Sequence, residues 1–343
     1  MTLQRLLGVE LPVIQAPMAG AHRSALTIAV CRAGGLGSLP CAMLDTAAIR
    51  REIGAIRTAI PSQPFNLNFF CHRPPVPDAA REAAWRSVLA PYYREFGLDI
   101  SASPALPARY PFDTSGAELV EDLRPQVVSF HYGLPDEPLL ERVRATGARI
   151  LASATTVDEA LWLERHGVAA VIAQGLEAGG HRGHFLSGDL SLHSGTFALV
   201  PQLVRVLRTP VIAAGGIADR AGVEAALRLG ASMVQVGTAY LCCPEATTSP
   251  ILRQTLMSDA ARHTALTRLI TGRPARGIVN RLMREVDDAS APDFPLATAA
   301  IAPLRAAAEA RGSLDFSPIW CGQNASGCTE RPAGELTREL AGV

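Results

Sequence analysis

Along the chain, short apolar runs rich in β-branched residues alternate with longer segments whose apolar positions recur every three to four residues. The short runs cover positions 13–16, 35–39, 65–70, 127–132, 149–153, 169–174, 211–214 and 232–237. Each is bounded by glycine, proline or polar residues, as strands entering loops are. Strands alternating with amphipathic helical segments predict parallel strands joined by crossover helices. Eight of them suit a closed (β/α)8 TIM barrel better than an open sheet.

Two of the intervening segments carry their own start and stop signals. One begins Thr156-Val157-Asp158-Glu159, where Thr156 caps the first turn and Glu159 is placed to reciprocate, and it stops at Gly167. The other starts near Asp219, carries Val223, Ala226 and Leu227 on one face, and stops at Gly230. Two regions leave the repeat: 71–116, Pro-rich with Trp85 and Tyr92-Tyr93, and 259–343. The first reads as an insertion after the third strand. The second, helical around 298–311 and closing on Ser-Pro-Ile-Trp-Cys-Gly-Gln, reads as an extension folding back over the barrel mouth. The whole chain, 1–343, is expected to be a single domain, a size barrels commonly reach.

Composition narrows the function. Hydrophobic residues at 48% against 19% charged give enough apolar surface for one large core. Zero formal charge without basic blocks argues against nucleic acid as a partner. No apolar run reaches membrane-spanning length, and Glu10, Pro12 and Gln15 interrupt a signal-peptide core, so the chain reads as cytoplasmic. Its seven cysteines lack zinc-site spacing and read as reduced thiols. All 32 basic residues are arginine, which excludes Schiff-base aldolase chemistry, lysine-bound pyridoxal phosphate and a P-loop ATPase.

Barrel ligands sit at the carboxyl ends of the strands, with phosphate commonly held after the last two. Gly215-Gly216 and Gly237-Thr238 stand there and offer bare backbone N–H groups to an anion. After the sixth strand comes Gln174-Gly175-Leu176-Glu177-Ala178-Gly179-Gly180-His181-Arg182-Gly183-His184. Its glycines permit close approach to a flat ligand, and His181 supplies a group that titrates near neutrality; equally, it is simply an exposed loop histidine. Gln15-Ala16-Pro17-Met18 forms a stiffened turn suited to contacting a planar ring. Asn68 offers an amide that donates and accepts, either to such a ring or to local backbone. His181 and His184 lack a companion carboxylate at helical spacing, so no metal site is expected.

Taken in order, PVIQAPMAG, AGGLGSL, PFNLNFF, VVSFHYGLP, AQGLEAGGHRGHF, VIAAGGIADR and MVQVGTAYL resemble the bacterial nitronate monooxygenases, over roughly residues 8–343. The resemblance implies a (β/α)8 barrel with noncovalently bound FMN. It implies that Gln15, Ala16, Pro17, Met18 and Asn68 line the ring together with Gln174, Gly179 and Gly180. Gly215 and Gly216, with Gln235, Val236, Gly237 and Thr238, would hold the phosphate. His181 falls on the family's catalytic histidine, and His131 on the substrate side. The implied reaction oxidises an alkyl nitronate, such as propionate 3-nitronate, with O2 to a carbonyl compound and nitrite, starting with electron transfer to FMN. The alternative within the same superfamily is an FMN-dependent NAD(P)H:quinone or enoyl-thioester reductase. Self-association into a homo-oligomer stays open. In one respect the chain departs from the family, whose members carry tyrosines and a lysine in the C-terminal segment. Tyr240 is the last tyrosine here, and Arg305 or Arg311 is the candidate replacement charge.

Overall fold

A computed structural model describes residues 2–101, 109–287 and 291–343. In chain order the first nine strands are β1 (Val13–Gln15), β2 (Ser38–Pro40), β3 (Asn66–Phe70), β4 (Val127–His131), β5 (Arg149–Ala154), β6 (Ala170–Gln174), β7 (Gly180–His181), β8 (Val211–Ala214) and β9 (Met233–Val236). All but β7 form one parallel sheet ordered β1-β9-β8-β6-β5-β4-β3-β2. Its two ends meet where Ile14 bridges Leu36: Leu36 N donates to Val13 O at 3.0 Å, and Gln15 N to Leu36 O at 2.9 Å. The sheet therefore closes into the expected (β/α)8 barrel.

Because successive strand residues face opposite sides, each strand contributes one column to the barrel interior and one to the layer under the helices. Val128 and Phe130 pack outward, whereas Val127 points inward with Ile14, Leu36, Leu151, Ile172, Ile212 and Met233. Leu3 and Leu7, from the helix Leu3–Leu7, join that inner layer and plug the amino-terminal end of the barrel. Full burial of each such side chain stabilises the fold by roughly 1.5–3 kcal/mol. Further along the same inward columns the residues turn polar: Ser129 and His131, Ser153, Gln174, Gln235. One end of the barrel is thus a packed floor, and the other is equipped for a ligand.

The helix Val157–Arg165 is capped by Thr156, whose Oγ1 accepts from Glu159 N at 3.2 Å. Glu159 does not return the bond to Thr156. Its carboxylate instead takes Thr155 N and Thr155 Oγ1, both at 2.7 Å, and Phe185 N at 2.6 Å. The Thr155 donors are buried, and like Phe185 N they have greater need of an acceptor than a solvated first turn. Asp219 caps the helix Arg220–Arg228 through Gly222 N at 2.8 Å, and both helices end before glycines of positive φ, Gly167 (+67°) and Gly230 (+102°).

The two regions outside the repeat pack on each other. Helix Ala79–Phe96 from the first and helix Ala297–Ala310 from the second share an apolar cluster containing Trp85, Leu89, Tyr93, Ile301, Leu304 and Phe316. Tyr93 Oη donates to Ala300 O at 2.7 Å across this contact. The repeat resumes slightly before position 116, at helix Thr114–Leu123, capped by Asp113. The last helix, Ala333–Ala341, does not lie over the mouth. It sends Ala333, Leu336 and Leu340 into the main core against helices Ser24–Arg32 and Arg220–Arg228, and so takes the place of the eighth barrel helix. Among the described residues no helix is long and apolar enough to cross a membrane.

Candidate active site

The carboxyl ends of the strands open on a cavity of about 380 Å³, within the roughly 300–1,000 Å³ of small-molecule sites. Ala16, Pro17 and Met18 line it after β1, and Asn68 and His131 line it from β3 and β4. Gln174, Gly179, Gly180 and His181 face it from the sixth loop, Gly215 and Gly216 from beyond β8, and Gln235, Gly237 and Thr238 from β9 and its loop. Residues scattered over more than two hundred positions are thereby gathered at one mouth.

Gln15 and Val236 are not brought to it. Both alternate outward from their strands, next to the inward Ala16 and Gln235. Val236 packs in the core between sheet and helices, at 1% exposure. Gln15 is fully buried, its Oε1 accepting from Ser38 N at 3.0 Å and its Nε2 lying 3.0 Å from His22 Nε2. Asn68 commits its amide nitrogen to Ser129, at 3.0 Å to Oγ and 3.3 Å to O. Gln235 Oε1 and Thr248 Oγ1, both on cavity-lining residues, are buried without a hydrogen-bond partner among the described residues.

His181 sits on β7, the edge of a small antiparallel sheet ordered β10-β11-β7, where β10 is Thr264–Thr267 and β11 is Ala275–Ile278. Pairing with Ala275 fixes its backbone. Its Nε2 lies 2.8 Å from Thr271 Oγ1, while Nδ1 has no hydrogen-bond partner among the described residues. Phe294 and Trp320 flank the ring at 5.3 and 5.4 Å. The His181 carbonyl accepts from Gln174 Nε2 at 2.9 Å and from His131 Nε2 at 3.3 Å. His131, which also meets Ser153 Oγ at 3.0 Å through Nδ1, has both ring nitrogens engaged by protein. The ring of His184 turns elsewhere, 5.5 Å from that of His193.

The surroundings favour an uncharged imidazole. Burial holds the His181 pKa well below 6.5, and Arg109, His131, Arg273 and His72 lower it further. Burial likewise takes His131 down to about 3 and His72 to about 4. Arg273 lies 4.0 Å above the Tyr132 ring, and Arg109 5.6 Å from the Phe294 ring. Among the described residues, the Nε atoms of both guanidiniums and the Tyr132 hydroxyl are buried without partners. Positive charge with spare donors beside a neutral imidazole suits an anionic ligand.

Sequence reasoning missed Thr271, Phe294, Arg109 and Arg273, which come from the two irregular regions and carry no local signal. Trp320 stood in a segment expected at the mouth, and it arrives there: Ile278 N donates to Ile319 O at 2.9 Å, and Gly322 N to Thr238 Oγ1 at 3.0 Å. Of the two replacement charges, Arg305 lines the cavity. Arg311 lies away from it, 4.4 Å above the Phe96 ring.

A closed α/β barrel with a polar pocket at the strand ends, a buried neutral histidine and converging arginines defines an enzyme. The family model described as nitronate monooxygenase matches residues 1–342. Nitronate monooxygenase of Pseudomonas aeruginosa is 43% identical over 349 aligned positions, covering 98% of this chain and 97% of the relative. That of Paraburkholderia phytofirmans is 42% identical over 339 residues, covering 98% and 92%. Among solved structures, nitroalkane oxidase from Streptomyces ansochromogenes superposes with a TM-score of 0.90 at 35% identity, covering 99% of this chain and 96% of that one. FabK from Thermotoga maritima gives 0.74 at 25% identity, covering 99% and 94%. The chain belongs to the nitronate monooxygenase family.

Proposed function

We propose that the protein oxidises alkyl nitronates, propionate 3-nitronate among them, with O2 to a carbonyl compound and nitrite, using FMN held in the cavity. The observation that carries this reading is His181, a neutral imidazole opening on the cavity with Nδ1 free and Arg109 and Arg273 nearby.

The residues present fit the cofactor. Gly215 and Gly216 adopt φ of +125° and +72°, and a Cβ on Gly216 would stand 3.3 Å from Glu177 Cβ. Together with Gly237 and Thr238 they leave backbone bare where a phosphate can approach. Gln235 Oε1, buried and unpaired, is an acceptor waiting for a ligand N–H or hydroxyl. Ala16 to Met18, Asn68, Gln174, Gly179 and Gly180 would surround the ring. FMN, when bound, supplies the electron-accepting and O2-reactive centre, and the protein supplies binding, orientation and charge.

His181 acts through Nδ1, the nitrogen that Thr271 leaves free. With a neutral nitroalkane, Nδ1 takes the proton from the carbon bearing the nitro group. With a nitronate no proton has to leave carbon, and a protonated Nδ1 donates to the anion. Because burial and the neighbouring cations disfavour imidazolium, a proton would be taken up together with the anion, whose charge would also offset Arg109 and Arg273. Arg305 would meet the carboxylate of a substrate such as propionate 3-nitronate. In this reading the insertion and the C-terminal extension belong to one FMN-binding domain.

Anaerobic mixing tests the reading against the reductase alternative. Bleaching of the flavin absorbance by propionate 3-nitronate, with little by NADH, is expected; fast bleaching by NADH alone would overturn it.

A further inference from the structure

The segment carrying His181 is held from behind by a line of buried hydrogen bonds that ends on a carboxylate. Arg182, the next residue, is 0% exposed. Its guanidinium donates to Gly175 O at 2.6 Å, to Gln174 O at 2.8 Å and, through Nε, to His193 Nδ1 at 3.3 Å. Since Nδ1 of His193 accepts, the proton of that ring is assigned to Nε2, which donates to Thr155 Oγ1 at 3.2 Å. Thr155 Oγ1 in turn donates to Glu159 Oε2 at 2.7 Å. The directions run one way, guanidinium to imidazole to hydroxyl to carboxylate, and each bond polarises the next.

A guanidinium this deeply buried is costly unless its charge is answered. Two strand-end carbonyls meet it directly, and Glu159 answers it through His193 and Thr155. Glu159 is itself anchored by Phe185 N at 2.6 Å, on the far side of the loop. At the front, Gln174 spans the same residue: Nε2 donates to His181 O at 2.9 Å and Oε1 accepts from Gly183 N at 2.7 Å. Gln174 thus grips the peptide groups flanking Arg182, while Arg182 grips the carbonyl of Gln174. This closed ring sets the plane of the backbone from which the His181 imidazole projects.

We infer that Arg182 is a positioning residue for His181, fixed in place by the relay His193–Thr155–Glu159. The inference deepens the nitronate reading and rests on His181 acting at the cavity. Misplacing a reacting group by about 1 Å costs on the order of 100-fold in rate. Arg182→Lys keeps the charge but replaces a fork by a point donor that cannot span Gly175, Gln174 and His193 at once. His193→Leu keeps bulk and cuts the relay.

The test compares Arg182→Lys, His193→Leu and the double variant, with rates expressed per bound flavin so that loss of fold or cofactor is removed. The expected result is a fall in kcat of about 10- to 100-fold in each single variant, with KM changed less than about twofold, and a double variant no slower than the slower single. A kcat unchanged per bound flavin, or single effects that multiply in the double variant, would overturn the proposal. His193→Gln, which keeps a donor toward Thr155, is expected to recover part of the rate, and no recovery counts against the relay. Ring-nitrogen NMR of His181 supplies a readout independent of turnover: its shifts should move in both single variants, and unmoved shifts would overturn the proposal. If the unmodified protein releases no nitrite from a nitronate, the nitronate reading fails, and the NMR comparison alone decides the relay.

Discussion

Thr271 Oγ1 stands 2.8 Å from Nε2 of His181, across ninety residues of sequence. This contact ties the imidazole to the C-terminal region rather than to its own loop, and in the proposed reading it leaves Nδ1 for the ligand. Thr271→Val removes the partner at nearly constant shape. A lost hydrogen bond of about 1–1.5 kcal/mol corresponds to roughly a 5- to 10-fold lower kcat. Steady-state kinetics should show that fall with flavin content unchanged and Thr271→Ser close to the parent; equal rates for Val and Thr would refute it.

Gly183 packs its backbone on His131. A Cβ there would lie 2.7 Å from His131 Cε1, a ring already held by Ser153 and the His181 carbonyl. Gly183→Ala should therefore destabilise by about 1–3 kcal/mol and lower turnover, seen as a drop in Tm together with slower nitrite release. Gly216→Ala, at φ +72°, should chiefly weaken flavin retention, read by equilibrium dialysis.

Burial holds His22, His72 and His193 at about 4, and His131 and His184 at about 3, against 6.5 in the unfolded chain. Between those limits the unfolded state binds more protons, so stability is complete above about 6.5 and is lost as pH falls toward the folded values. Each group contributes up to about 1.4 kcal/mol per pH unit in that window. Tm should be level above pH 6.5 and fall steeply from there to pH 4. A Tm that rises on acidification would contradict the neutral, buried state of these rings.

Arg305 faces the cavity and pairs with Glu309 at 2.7 Å. Arg305→Ala should raise KM for propionate 3-nitronate about 10-fold, the weight of one charge-assisted hydrogen bond, and leave nitroethane nitronate nearly unaffected. Arg311→Ala, over Phe96, should change neither value. Equal effects on both substrates would show that Arg305 does not read the carboxylate.

The barrel was legible because its strands and helices announce themselves locally, through β-branched runs, caps such as Thr156 and Asp219, and glycine stops. The mouth followed from the rule that ligands meet strand ends. Gln15 and Val236, which the resemblance assigns to the ring and the phosphate, fall outside the cavity lining because they alternate outward from the inward-facing Ile14 and Gln235. Glu159 reads as half of a capping box because one of the donors it serves, Phe185, becomes its neighbour only on folding, and the other, Thr155, lies one residue before the expected partner. Thr271, Phe294 and Arg109 were invisible for the same reason: each reaches the site through the packing of one irregular region on another. The helix Ala333–Ala341 was hidden differently, since a long excursion separates it from the strand whose helix it replaces.

The central claim is that His181 turns over a nitronate on this cavity. The most direct measurement is nitrite release per bound flavin with propionate 3-nitronate and O2, in the parent protein and in His181→Asn. The account predicts sustained nitrite release by the parent and a loss of about 10-fold or more in the flavin-loaded variant, the weight of one hydrogen bond to the anion. Equal nitrite release by both, or none by a flavin-loaded parent, would contradict it.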